Sequence, residues 1–121
     1  MKDNKTRNQL KTLVSLNAAI AEAEEEIQII QKEINTNGHD KKYISALNEL
    51  KQMIIYYRYQ KVKNYISLYD KIETLEDEQE KRLLKYRYLR GWRWEDIAEI
   101  MGYSIRQVFN IHKKALQLLN Y

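Results

Sequence analysis

Residues 92–119 read WRWEDIAEIMGYSIRQVFNIHKKALQLL, and their spacing decides how the rest of the chain is read. A short helix over about Trp94–Met101, a tight turn and a longer helix can be placed residue by residue. Ile97, Ile100 and Met101 are expected to face inward. Ala98 stands where two crossing helices approach closely, and a larger side chain there would push them apart. Gly102 falls at the bend, where a positive φ is reached at no steric cost because there is no Cβ. Tyr103 supplies the apolar turn residue. Ser104 can cap the second helix by accepting from a backbone N–H two or three residues on. Val108 and Ile111, then Ala115, Leu116 and Leu119, recur at the spacing that packs the second helix on the first. The pattern is that of a helix-turn-helix.

Upstream, DEQEKRLLKYRYLR (77–90) reads as a third-from-last helix closed by Gly91. Thr74 is expected as its N-cap, with Glu76, Asp77 and Glu78 in the first turn, where the helix dipole favours acids. Leu83, Leu84, Tyr86 and Leu89 supply apolar contacts, and Lys81, Arg82, Lys85, Arg87 and Arg90 crowd the remaining faces. Whether this helix is continuous with the one before it stays open. Residues 81–121 carry nine Lys/Arg against three Asp/Glu, whereas residues 1–80 carry twelve against fourteen. A basic end on a near-neutral remainder is the footprint of a nucleic-acid-binding end.

From about Thr6 to Asn35, Leu13, Leu16, Ile20, Ala23, Ile27, Ile30 and Ile34 recur at alternating spacings of three and four. That is a coiled-coil-like seam, with Glu22, Glu24, Glu25 and Glu26 largely off it. The seam needs a partner, either the next helix or a second copy of the chain. NTNGHD (35–40) tolerates turn conformations and is short, so the next helix, about Lys41–Glu73, is expected to return antiparallel. Its apolar face holds Leu47, Leu50, Ile54, Tyr57, Tyr65, Leu68 and Ile72, followed by Leu75. YYRYQKVKNY (56–65) interleaves aromatic and basic residues. It reads either as a nucleic-acid surface or, more simply, as a helix with buried rings, wet hydroxyls and solvated lysines. Lys, Asn, Ile and Tyr are all encoded by A+T-rich codons, so the ten tyrosines need no functional reason. The expected fold is all-α. Residues 1–73 form a long helical hairpin for packing or oligomerisation, and residues 74–121 form the helix-turn-helix domain.

DEQEKRLLKYRYLRGWRWEDIAEIMGYSIRQVFNIHKKALQLL (77–119) resembles region 4 of bacterial sigma factors. The shared order is a basic helix, a glycine, an EEIA-like short helix, a G-x-S turn and a recognition helix ending in KKAL. In layout the whole chain is similar to the small phage-encoded late-gene transcription regulators of the ArpU and RinA type. The resemblance implies a duplex reader, with Ser104 at the N-cap of the recognition helix and bases read from Ile105, Arg106 and Phe109. Asn110 and Lys113 lie on or beside the same face. Sigma region 4 commonly carries arginine, glutamate and arginine at the three base-reading positions, and this chain departs from that set. Arg106 suits a guanine edge, Asn110 an adenine, and Ile105 or Phe109 a thymine methyl. Solvated charge is the plain alternative for Arg106 and Lys113, and burial against the preceding basic helix is the alternative for Phe109. Phosphate contacts are expected from Lys85, Arg87, Arg90, Arg93, Ser104 and Lys113, helped by the N-terminus of the recognition helix. Trp92 and Trp94 are expected to pack at the core or its rim. RNA polymerase is a further partner that the resemblance allows, although nothing in the chain resembles the sigma regions that hold core polymerase and melt the promoter.

Other functions find little to stand on. The chain has no cysteine, which excludes a disulfide scaffold and leaves a reducing cytoplasm as the expected compartment. No apolar run reaches the length of a membrane span, and MKDNKTRNQL lacks a signal-peptide core. There is no glycine-rich phosphate loop, and the two histidines, His39 and His112, offer no metal-ligand set. His112 reads as a packing or phosphate-facing residue. The acids at 22–26 and 73–80 are accounted for by solvation. No enzymatic activity, cofactor or metal is expected. The competing readings are a DNA-packaging recognition subunit like the small terminase subunits, which usually place the helix-turn-helix first, and a polymerase-binding module with minor DNA contact.

Overall fold

Proline is absent and glycine occurs only at 38, 91 and 102, so little interrupts the helices between those points. The computed structural model describes residues 4–38 and 40–119; His39 and residues 1–3, 120 and 121 lie outside them. Five helices follow in order: α1 (Asn4–Asn37), α2 (Lys41–Glu73), α3 (Glu78–Leu84), α4 (Trp94–Met101) and α5 (Ile105–Leu118), with a π-helical turn over Lys85–Leu89 continuing α3. The described residues contain no strand, and no helix among them is long and apolar enough to cross a membrane.

The helices α1 and α2 form an antiparallel hairpin. Gly38 takes φ +88, and the Asp40 carboxylate caps α2 by accepting from the Lys42 N–H at 2.8 Å. Residues early in α1 face residues late in α2: Gln9 donates to the Ser67 hydroxyl, and Glu24 pairs with Arg58 at 3.0 Å. The α1 seam is used inside this hairpin. Ala23, Ile27 and Ile30 pack with Leu50 and Ile54, and nearer the open end Leu10 and Leu13 pack with Leu68 and Ile72.

The link to α3 departs from expectation. Thr74 ends α2, its hydroxyl donating to the Lys71 carbonyl at 2.6 Å, and Asp77 caps α3, accepting from Gln79 N–H at 2.7 Å and Glu80 N–H at 3.2 Å. Both residues are good caps in isolation. The choice falls on Asp77 because Leu75, between them, is buried in the core and needs non-helical backbone to get there. The second and third helices are therefore separate.

After Leu84 the helix widens: Arg90 N–H donates to the Lys85 carbonyl at 3.1 Å, five residues back. Tyr88 is buried beside Leu83 and Leu84, while Tyr86 and Leu89 are only partly covered. One core then runs from the open end of the hairpin into the C-terminal helices. It joins Leu10, Leu13, Leu68, Ile72 and Leu75 to Leu83, Leu84, Tyr88, Ile97, Ala98, Val108, Ala115 and Leu119. Each fully buried aliphatic side chain in it contributes about 1.5–3 kcal/mol relative to exposure. The hairpin and the C-terminal helices thus share one hydrophobic core.

Candidate nucleic-acid interface

The turn between α4 and α5 is built as its residues require. Gly102 adopts φ +72, and its N–H and that of Tyr103 return to the Glu99 and Ala98 carbonyls at 3.2 and 3.0 Å. Ser104 and Gln107 then make a reciprocal cap. Gln107 N–H donates to the Ser104 hydroxyl at 3.1 Å, and Ser104 N–H donates to the Gln107 side-chain carbonyl at 2.9 Å. This fixes where α5 starts and which way it points.

The inner face of α4 holds Ile97 and Ala98, both buried. Ile100 does not join them: it is 53% exposed. A helix of two turns can turn only one stripe inward, and Ile97 with Met101, four apart, occupies it. On α5, Val108 and Ala115 are buried and Ile111, His112 and Leu116 partly so. Arg106, Asn110, Lys113 and Gln117 lie on the opposite, solvent face, and all four are exposed. Ile105 and Phe109 flank that face at 40% and 46% exposure. Phe109 is not buried against the basic helix. Its ring stands edge-on to Trp94 of α4 at 5.2 Å between centroids.

Trp94 is the hub under this surface. The Arg87 guanidinium lies over its ring at 4.4 Å and also donates to the Trp92 carbonyl at 3.0 Å. His112 meets Trp94 edge-on at 4.8 Å and shares a 2.7 Å hydrogen bond with the Tyr88 hydroxyl. Burial, aided by the nearby Arg87 charge, lowers the His112 pKa from 6.5 to about 4, so the ring is neutral at physiological pH and serves packing. Trp92 stacks on Tyr86 at 4.6 Å, with Arg90 against both rings at 5.4 and 5.3 Å. Both tryptophans pack at the core rim.

The basic side chains before α4 thus divide into two groups. Arg90 and Arg93 are exposed on the loop entering α4, with the Arg93 guanidinium 3.5 Å from the Asp96 carboxylate. Lys85 instead points to the end of α2. Its hydrogen-bonded pairing with Glu73 at 2.6 Å raises the Lys85 pKa and lowers that of Glu73, and its ammonium lies 5.6 Å over the Tyr69 ring. Arg87 is held by Trp94 and Trp92. The structure groups Ser104, Ile105, Arg106, Phe109, Asn110 and Lys113 along α5 and places Lys85 and Arg87 in internal contacts.

Two supports were not legible in the residue pattern. Glu80, three residues into α3, looks like a solvated first-turn acid, yet it is buried and faces Lys114 of α5 at 3.7 Å. Nothing local marks that burial. Asn17 interrupts the seam side of α1 and donates to the Tyr88 carbonyl at 3.1 Å, tying α1 to the end of the π turn. A polar residue beside apolar seam positions was the available signal. Among the described residues, no three His, Cys, Asp or Glu side chains stand together as metal ligands.

Residues 72–120 match the family described as Sigma-70, region 4. The C-terminal part of the chain is accordingly a sigma region 4-like helix-turn-helix, with the DNA-binding regulatory role of that unit. No curated protein and no solved structure gives a significant match.

Proposed function

We propose that the chain is a non-catalytic, sequence-specific transcription regulator that reads double-stranded DNA, encoded by a phage or mobile element. One observation carries this reading. The capped helix α5 puts its apolar side into the core and leaves Arg106, Asn110 and Lys113 aligned on the opposite face. That face fits a major groove, with Arg106 for a guanine edge, Asn110 for an adenine, and Ile105 and Phe109 for thymine methyls. Lys113, Arg90, Arg93 and the α5 N-terminus at Ser104 take phosphates. Lys85 and Arg87, held by Glu73 and the tryptophans, contribute to the field more than to contacts.

A second reading has its own support. Ile100, Ile105 and Phe109 are all at least 40% exposed along the outer side of the α4–α5 pair. Apolar groups presented in this way also suit a protein partner, and RNA polymerase is the one the family match suggests. Footprinting on the DNA surrounding the gene, followed by titration in increasing salt, separates the two. A DNA reader protects a discrete site, and roughly 3–6 phosphate contacts give a log–log salt slope near −3 to −5. No protection at low salt, with polymerase retained on the immobilised chain, would establish the second reading instead.

A further inference from the structure

The apolar seam of α1 is closed inside the hairpin, but α2 carries a second one that is left largely exposed, with only its Tyr69 end partly covered, by Lys85. Ile55, Tyr59, Val62, Ile66 and Tyr69 follow each other at spacings of four, three, four and three. They are between 40% and 66% exposed, on a helix uninterrupted from Lys41 to Glu73. Two heptads of exposed apolar side chains at this spacing form the stripe of a coiled-coil interface. Lone exposed apolar residues are ordinary; five in register are not.

We propose that this stripe is the interface between two copies of the chain, joined antiparallel about a two-fold axis passing between Tyr59 and Val62. Three features on the molecule select this occupant. The first is self-complementarity. Turned about that axis, Ile55 meets Ile66 of the partner subunit, and Tyr59 meets Val62 of the partner subunit. These four layers pair two medium side chains, or one large with one small, as close packing requires; Tyr69, already partly under Lys85, lies beyond them, opposite Gln52 of the partner subunit. A hollow lined by Arg58, Lys61, Val62, Tyr65 and Leu89 adjoins Val62 and gives the large ring room. The second is area. The stripe with neighbouring Tyr56 presents roughly 600–700 Å² of mostly apolar surface, close to the ~800 Å² per partner of a standard stable interface. The third is the position of the C-terminal helices. They rest on the Tyr69–Glu73 end of α2, where Lys85 reaches Glu73 at 2.6 Å. A parallel pair would bring both C-terminal units to one end and set Tyr59 against Tyr59; the antiparallel pair places them at opposite ends. The alternation of aliphatic and aromatic layers also argues against nucleic acid, because isoleucine and valine offer bases no stacking surface.

The inference does not depend on the DNA-binding reading and is tested without DNA. Sedimentation equilibrium of the full chain across the micromolar range should show a reversible monomer–dimer exchange. Ile66→Glu should weaken it by at least about tenfold, and Ile55→Glu should do the same. Both residues face solvent in the monomer, so helical circular dichroism and the melting profile of the dilute monomer should stay those of the parent. Register is read by cross-linking, since the chain has no cysteine of its own. In the proposed pair, two Val62 positions sit roughly 5 Å apart along the axis, and two Tyr69 positions about 25 Å apart. A short bis-maleimide should therefore join Val62→Cys and not Tyr69→Cys. A chain that stays monomeric throughout, or a dimer indifferent to Ile66→Glu and Ile55→Glu, overturns the proposal. Cross-linking through Tyr69→Cys overturns the antiparallel register.

Discussion

Arg106 and Lys113 share the exposed face of α5, yet they differ in what they can recognise. A guanidinium presents a planar fork that matches the two acceptors of a guanine edge, whereas an ammonium acts as a point charge. Removing Arg106 by Arg106→Ala should cost about 1–3 kcal/mol on the specific site and relax preference at one base pair. Lys113→Ala should weaken all sequences alike and lower the salt slope by about one. Binding titrations on specific and scrambled duplexes measure both. If Arg106→Ala weakens the two duplexes equally, Arg106 is a backbone contact and base reading passes to Ile105, Phe109 or Asn110. His112 makes a different kind of prediction. Its folded pKa, about 4, lies below the ordinary 6.5 because the ring is buried and Arg87 is close. The unfolded chain therefore binds the extra proton first. The stability tied to the neutral ring is complete above about pH 6.5 and is lost as pH falls towards 4. Melting temperature followed across that window should drop more steeply for the parent than for His112→Phe, which keeps an aromatic ring and cannot titrate. Parallel curves would show that the ring titrates in the fold as it does in the unfolded chain.

At the scale of the helices, Ile27 tests whether the α1 seam holds the hairpin. It packs, partly covered, on the Ala23, Leu50 and Ile54 cluster. Ile27→Asp puts a carboxylate there and should cost about 1–3 kcal/mol, read as a lowered denaturation midpoint. A midpoint equal to the parent's would mean that the seam is not buried. Periodicity and punctuation made most elements legible: α2 at Lys41–Glu73 and α4 at Trp94–Met101 fall where the Asn/Gly/Asp break, the apolar spacing and Gly102 put them. Local chemistry could not separate Thr74 from Asp77 as a cap, because each has a side chain that can bond a helix terminus. The burial of Leu75 decided it. The π turn at Lys85–Leu89 had no sequence mark at all, since KYRYL is as good an α-helix as its neighbours. The outer stripe of α2 was present in the sequence but hidden by the tyrosines and lysines between its members. Two apolar stripes on one helix become distinct only when one of them is seen to be covered. The exposed face of α5 was readable because its inner face has helical spacing. Exposure alone could not tell Arg90, stacked on two rings, from Arg93, which is not.

For the whole molecule, the question is whether hairpin and helix-turn-helix are mechanically one body, and two glycines allow a clean measurement. Gly91 and Gly102 both hold a positive φ, +70 and +72. A methyl group at Gly102 would meet nothing within 4 Å, so Gly102→Ala should cost only the strain of a left-handed residue, about 1–2 kcal/mol. A methyl group at Gly91 would lie 2.9 Å from the Asn17 side chain of α1. That side chain is also the donor to the Tyr88 carbonyl, at 3.1 Å. Gly91→Ala should therefore cost the same strain plus the displacement of Asn17 and the loss of its hydrogen bond, about 1 kcal/mol more. Asn17→Gly, which removes the Cβ 3.0 Å from that methyl as well as the amide, should cost about 2 kcal/mol through the lost hydrogen bond and the lower helix propensity, and in that background Gly91→Ala should fall to the cost of Gly102→Ala. Denaturant midpoints of the variants close the cycle. A coupling energy near 1 kcal/mol between positions 17 and 91 means that α1 bears on the loop entering α4 and helps set the angle at which α5 is presented. A coupling of zero means that α1 does not bear on that loop through Asn17, and that the shared core and the Lys85–Glu73 pair connect the hairpin to the surface carrying Arg106.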